Sequence, residues 1–193
     1  MTAFEFIIDF LSFAYALAFS HILFAAARMI RHRRLLIFSW PHALWMANAV
    51  TLLFSNWISL YDFRSMAVMS LETILTLFAF VTTLYFTSAL VTPDFERDDY
   101  DMRAFHEREY RAYIGAILVL HFMSFLANIR AGQSGISSWG SQNAIVLAML
   151  PVTILPLLSR NRIVQLVCPA IFLVEDFVFL MIYYPTLSLT GST

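Results

Sequence analysis

Lysine is absent from this chain of 193 residues, and all twelve of its basic residues are arginine. Schiff-base chemistry, retinal attachment and the phosphate-binding P-loop each need a lysine, so the sequence excludes all three. Cysteine is nearly absent too, because the lone Cys168 cannot form an internal disulfide, a thiolate zinc site or an iron–sulfur cluster. Charged residues make up only 13% of the chain and its net charge is −1, which excludes a nucleic-acid binder.

Hydrophobic residues are abundant instead, at 60% of the chain with a mean hydropathy of +0.73. A soluble domain is about half apolar and a quarter charged. Six apolar stretches are long enough to cross a bilayer core, which takes about 20 helical residues. Because lipid offers no partner for free backbone groups, each stretch is predicted to be helical. The predicted fold is an all-α bundle of six transmembrane helices in one domain over 1–193, with helices at 4–28, 40–61, 65–92, 109–130, 138–159 and 162–185.

Arginine placement predicts the orientation of these helices. Ten arginines lie in or beside the first, third and fifth connections, against only Arg64 and Arg130 at the other two. The positive-inside rule then places both termini outside the cell. The charged third connection, 93–108, is expected to be a cytoplasmic extension or a short helix that runs into the fourth span. We therefore expect a multi-pass protein of the plasma (inner) membrane of a bacterium.

A few ionisable residues fall within the predicted spans, where such groups are costly and commonly mark function. Counting about 1.5 Å per helical residue places Glu72, His121 and Asp176 at similar depths in the outer half. Together with Glu175 they are predicted to form an ion- or proton-binding site that opens to the exterior. Because clustered carboxylates repel in a low dielectric, at least one carboxyl group is expected to be protonated at neutral pH, and His121 could exchange that proton.

Polar residues also repeat at helical spacing, which predicts faces that point inward, away from lipid. The second helix carries such a stripe along its length, and the sixth carries one through Asp176. The members are His42, Trp45, Asn48, Thr51, Ser55 and Ser59 on the second helix and Gln165, Pro169, Phe172, Asp176, Phe179 and Tyr183 on the sixth. Asn48 and Asn128 are predicted to line a path inward. The alternatives are interhelical hydrogen bonds for the asparagines and an ion pair of Asp176 with Arg64 or Arg130.

No catalytic constellation is evident in the sequence. The segment Gly132-Gln133-Ser134-Gly135 resembles the G-x-S-G motif of rhomboid intramembrane proteases, whose serine works with a histidine on the last core helix. This chain has no histidine after His121, so Ser134 lacks a general base. A single metal ion held by Glu72, His121 and Asp176 stays open as an alternative, and so does haem contact through His21 and His42.

Two functions follow as expectations. The first is a proton- or cation-linked channel or transporter that uses the outer-half site. The second is an accessory subunit of a larger membrane redox or photosynthetic complex, in contact with a pigment, a quinone or haem. The sequence names no cofactor. The expected partners are the lipid bilayer and either further copies of the chain or a larger membrane complex, since one small bundle encloses little volume.

Overall fold

A computed structural model describes residues 3–65, 69–95, 100–131 and 136–185 of the chain. These ranges contain six long α-helices, one short 3₁₀ helix (Leu60–Ser65), turns and one isolated β-bridge, so the predicted all-α class is confirmed. The helices are α1 (Ala3–Arg31), α2 (Trp40–Ser59), α3 (Leu71–Val91), α4 (Met102–Ala131), α5 (Ile136–Leu158) and α6 (Arg162–Tyr183).

The third helix begins later than the sequence predicts. The apolar run suggests a start at residue 65, but α3 begins at Leu71. Ser70 precedes it in an extended conformation, and its hydroxyl accepts a hydrogen bond from the backbone N–H of Thr73 at 3.2 Å. A serine in this position satisfies one of the free N–H groups of the first turn and so sets the start of the helix.

The fourth helix begins earlier than predicted, at Met102 rather than 109, so the charged third connection supplies its first two turns. Asp101 caps it, with one carboxylate oxygen accepting a hydrogen bond from the backbone N–H of Arg103 at 2.9 Å. The backbone of Ile37 also bridges to this point. Its N–H donates to the carbonyl of Tyr100 at 2.9 Å, and its carbonyl accepts from the N–H of Met102 at 3.0 Å. The connection between α1 and α2 is thereby attached to the start of α4.

Helices that follow one another in the chain run in opposite directions, as contacts between their ends show. The ring of His42, at the start of α2, donates to the carbonyl of Val91 at the end of α3. Gln165, at the start of α6, donates to a carbonyl near the end of α5. His42 also packs against Phe105 at the start of α4, with ring centroids 5.1 Å apart. We call the end where α2, α4 and α6 begin the His42 end, and the opposite end the Asp176 end.

The second helix has a central place in the packing, with α6 on one side and α3 on the other. The first helix packs mainly on α3, and α5 packs against both α4 and α6. In the described part of the chain, α3 and α6 do not pack against each other, because α2 lies between them. Three large side chains are fully buried where α2, α4 and α6 meet: Trp45, Tyr113 and Phe172.

Three helices in the described ranges are long and apolar enough to span a membrane: Glu5–Arg31, Leu71–Val91 and Arg162–Tyr183. Large apolar side chains on these helices are strongly exposed, among them Phe24 at 74% and Met181 at 75%. Such surfaces are compatible with a membrane protein. The helices α2 and α4 are not among the three. They carry five buried polar side chains: His42, Asn48 and Ser55 on α2, and His106 and His121 on α4.

Candidate functional site

Buried polar side chains lie along the junction of α2, α4 and α6, from the His42 end to the position of Asp176. We call this set of side chains the polar seam. It extends over the 13 residues from position 42 to position 55 of α2, which is about 20 Å at 1.5 Å per residue. Its members are His42, Trp45, Asn48 and Ser55 from α2, His106, Tyr113 and His121 from α4, and Gln165 and Asp176 from α6.

Asp176 occupies one end of the seam and is only 2% exposed. The hydroxyl oxygen of Ser55 lies 2.9 Å from each of its carboxylate oxygens. Within the described part of the chain, hydroxyl groups alone approach this carboxyl, and no cation does. The side chains of Arg64 and Arg130, the alternative ion-pair partners, lie outside the described residues.

The Ser55 hydroxyl has one proton and three acceptors around it: the two oxygens of Asp176 and the backbone carbonyl of Thr51. A hydroxyl donates one hydrogen bond, and an ionised carboxylate donates none. With Asp176 protonated, two of the three contacts are hydrogen bonds at once, because one carboxyl oxygen donates to Ser55 while Ser55 donates to Thr51. With Asp176 ionised, the single Ser55 proton must be shared among all three acceptors. The geometry therefore suits a neutral carboxylic acid better than a carboxylate.

The middle of the seam is built around Phe172, one turn before Asp176 on α6. The ring of His121 packs edge-on against it at 5.4 Å between centroids, and Trp45 lies 5.9 Å away on another side. Asn48 is fully buried and donates from its amide nitrogen to the carbonyl of Pro169 at 2.9 Å, which ties α2 to α6. In this part of the seam, aromatic side chains therefore alternate with polar side chains.

His121 is 5% exposed, yet neither ring nitrogen meets full hydrogen-bond geometry with a partner in the described ranges. The backbone carbonyl of Ile117, one turn earlier on α4, lies near the ring but forms only a weak interaction with it. Buried polar groups in proteins are nearly always hydrogen-bonded. An imidazole left this way is available to accept or donate a proton, so His121 is a chemically competent member of the seam.

The His42 end holds a second polar group of side chains, and its hydrogen bonds fix their roles. Because a carbonyl only accepts, His42 Nε2 carries the proton that it donates to Val91 at 2.9 Å, and His42 Nδ1 is an acceptor. The amide nitrogen of Gln165 donates to the carbonyls of Pro156 and Ser159 at 2.6 and 2.7 Å. The amide oxygen of Gln165 therefore points away from α5 as a buried acceptor.

His106 connects these groups. Its Nδ1 pairs with the hydroxyl of Tyr113, and it interacts with Gln165 across the junction between α4 and α6. Burial lowers the pKa of the His106 imidazole to about 4, with a smaller contribution from repulsion by His42. A neutral His106 accepts from Tyr113 on Nδ1, and its Nε2 is a buried donor. The amide oxygen of Gln165 is the neighbouring buried acceptor, but no hydrogen bond of full geometry joins the two atoms in the described structure.

Of the residues predicted to form an ion site, the structure brings His121 and Asp176 to the same seam, on either side of Phe172. It does not bring Glu72 there. The Glu72 side chain is exposed in the first turn of α3, and α2 separates α3 from α6. Equal depth along a helix does not determine which neighbour a side chain faces, so the expected convergence of all four residues on one pocket is not found.

The other predicted residues are distributed as follows. Glu175 is half-buried beside Asp176, and its Oε2 has no hydrogen-bond partner among the described residues. Asn48 lies in the seam as predicted, whereas the Asn128 side chain and Ser134 fall outside the described part of the chain. His21 is exposed on α1 beside the ring of Tyr85, away from His42, so the two histidines do not form a facing pair.

Sequence reasoning missed two seam members, His106 and Tyr113. His106 falls in the charged connection 93–108, which the sequence predicts to be a cytoplasmic extension or a short helix, but the side chain is buried. A signal was present: residues 106, 113 and 121 are seven and eight positions apart, which places them on one face of a helix.

Metal ligation receives no support from the described residues, among which no three His, Cys, Asp or Glu side chains come together. No protein family, no curated protein and no solved structure matches the chain. The functional argument therefore depends on the geometry of the polar seam.

Proposed function

We propose that all six helices cross a bacterial inner membrane, with both termini outside and the His42 end in the cytoplasm. Two features support this. Consecutive helices alternate in direction, and the connections expected on the cytoplasmic side carry ten of the twelve arginines. The exposed Trp40, at the start of α2, suits the aromatic belt at the membrane surface.

Within this placement, the protein is a proton-linked channel or transporter whose path follows the polar seam. The observation that carries the proposal is the seam itself, with a buried carboxyl group at one end and a buried imidazole–phenol pair at the other. Burying a polar group in an apolar bundle costs free energy. Such groups are therefore expected where they join helices by hydrogen bonds or take part in chemistry. Asp176 would bind the proton toward the exterior, His121 would pass it on, and the His106–Tyr113 pair would release it toward the cytoplasm.

Protons suit the seam better than metal cations do. Metal cations such as Ca²⁺ need several oxygen ligands. The seam offers one carboxyl group, and the hydrogen bonds around it favour its neutral form. The imidazoles, the phenol and the hydroxyl can each donate and accept a proton, as a proton relay requires, and the amides can orient them by hydrogen bonds.

Proton flux in proteoliposomes tests the proposal. The purified chain is reconstituted with a pH-sensitive dye inside, and acidification is followed after a potential or a cation gradient is imposed. Wild-type protein should acidify the vesicles, and Asp176→Asn should abolish the flux because an amide cannot release a proton. Asp9→Asn, the same change at an exposed position of α1, is the matched control and should conduct normally. Equal flux in wild type and Asp176→Asn would refute the proposed path.

The accessory-subunit hypothesis is the second candidate, and one observation favours it. The first helix exposes phenylalanines along much of its length, including Phe6, Phe10, Phe13 and Phe24, which could meet a pigment or a partner subunit. Its test is optical. Protein purified from its native membrane in mild detergent should show a visible absorption band or co-purify with defined subunits, whereas colourless protein that conducts protons alone would contradict it.

A further inference from the structure

An apolar groove of about 380 Å³ opens between α1, α2 and their connection, at the His42 end. Its walls come from α1 and α2, with Arg33 at its rim, and include Ala26, Met29, Ala43, Met46 and Phe38. Two of these residues are alanines, which leave room where larger side chains would close the gap. The volume falls within the range of small-molecule binding sites, about 300–1,000 Å³.

The groove changes from polar at its mouth to apolar inside, as a membrane does from its surface to its core. Phe38 and Trp40 are exposed beside its mouth and pack edge to face at 5.0 Å, as aromatic side chains do at headgroup level. From there the groove runs toward the interior. Met46 lies six residues along α2 from Trp40, about 9 Å deeper at 1.5 Å per residue. A polar rim thus leads into an apolar slot that faces lipid.

The rim is positively charged. Arg33 is exposed, and within the described residues one of its five N–H donors makes a hydrogen bond, from Nη1 to the carbonyl of Ile30 at 3.3 Å. Arg31 and Arg34 are exposed nearby, and the segment 28–41 has no acidic residue of its own. Asp101, on the segment that pairs with Ile37, is engaged by the backbone N–H groups of Arg103 and Ala104 as the cap of α4. Guanidinium groups pair with phosphate through two parallel hydrogen bonds, so the rim is complementary to a phosphate group.

We propose that this groove binds an anionic phospholipid, with its phosphate on Arg33 and one acyl chain between α1 and α2. Charge complementarity at the rim and the apolar slot below it select this occupant, and basic pockets between membrane helices are general sites for anionic lipids. The inference rests on the proposed membrane placement and is independent of the proton path.

Native mass spectrometry of the full chain in detergent tests the site, with phosphatidylglycerol, phosphatidylcholine and free glycerol phosphate as probes. Phosphatidylglycerol should bind in preference to the other two. Arg33→Gln should weaken it about tenfold, the equivalent of about 1.4 kcal/mol for a charge-assisted pair. Arg162→Gln, which changes an exposed arginine at the same end of the protein but on α6, away from the groove, should change binding by no more than about twofold. Equal losses in both variants would mean general attraction to a basic surface and would overturn the site.

The slot is tested separately by filling it. Ala43→Leu should displace phosphatidylglycerol, while Ala27→Leu, at an exposed position of α1, should leave it bound. Undiminished binding in Ala43→Leu would overturn the placement of the acyl chain, and binding of glycerol phosphate as tight as that of phosphatidylglycerol would show that the rim alone is the site. The failure of the proton path would leave these results unchanged, since Asp176→Asn should bind the lipid normally.

Discussion

Removing the Ser55 hydroxyl tests the protonation of Asp176 most closely. In the wild type, a protonated Asp176 donates to Ser55 and Ser55 donates to the Thr51 carbonyl. Ser55→Ala deletes this acceptor at a position that is 2% exposed, and of the hydroxyl groups near the carboxyl in the described structure it leaves Thr51. An orphaned buried donor costs about 1–3 kcal/mol. Interhelical hydrogen bonds in membranes average about 0.6 and reach about 1.7 kcal/mol, so the free energy of unfolding should fall by about 1–2 kcal/mol.

The matched control is Ser59→Ala, one turn farther along α2. The Ser59 hydroxyl donates to the carbonyl of Asn56 on its own helix and makes no contact with α6 in the described structure. Its loss should therefore change the unfolding free energy by less than about 0.5 kcal/mol. Unfolding in mixed detergent micelles, followed by tryptophan fluorescence, gives both values.

Infrared spectroscopy detects the protonation of Asp176 directly. Wild-type protein at neutral pH should show the C=O stretching band of a protonated carboxyl group. The band should vanish in Asp176→Asn and shift to higher frequency in Ser55→Ala, because a carboxylic acid that loses its hydrogen bond has a stiffer C=O. A protonated-acid band that survives Asp176→Asn, or no such band in the wild type, would refute the reasoning.

Three further predictions concern other parts of the structure. Gln165→Leu should lower the unfolding free energy by about 1–3 kcal/mol, because two carbonyls near the end of α5 lose their donor; an unchanged value would contradict the assigned bonds. The pKa of His106 is about 4 when folded, against 6.5 unfolded, so stability should fall as pH drops from 6.5 to 4, by at most about 3 kcal/mol. His106→Gln should remove that slope, and a slope that persists would point to another group. Asp101→Ala should lower the free energy of unfolding by about 1 kcal/mol and speed amide hydrogen exchange in the first turn of α4, because the turn loses its cap. Amide exchange at the wild-type rate in this variant would contradict the cap.

Periodicity along single helices was the most informative signal in the sequence. The stripe predicted on α2 is buried at His42, Trp45, Asn48 and Ser55, and the α6 stripe is buried from Gln165 to Asp176. These parts of the stripes are buried as predicted, because a polar group that faced outward from an apolar helix would be unpaired. Tyr183, the last member of the α6 stripe, is 48% exposed, so the prediction is wrong at that position.

Neighbour relations could not be read from the sequence in the same way. Glu72 and Asp176 were grouped because they lie at similar depths, but depth gives no information on position around the bundle, and α2 separates their helices. His106 lies in the connection that is predicted to be cytoplasmic, because charged residues surround it in the chain. Its burial depends on contacts with Tyr113 on its own helix and Gln165 on α6, and the second of these is a tertiary contact that local composition does not report.

Proton flux in single and double variants at the two ends of the seam tests the central claim most directly. His106→Gln and Asp176→Asn alter groups on different helices, near opposite ends of α2. If both groups lie in series on one path, Asp176→Asn should abolish the flux, His106→Gln should reduce it, and the double variant should conduct no more than Asp176→Asn alone. Flux that is indifferent to His106→Gln in a stably folded protein, or flux that persists in Asp176→Asn, would contradict a single continuous path.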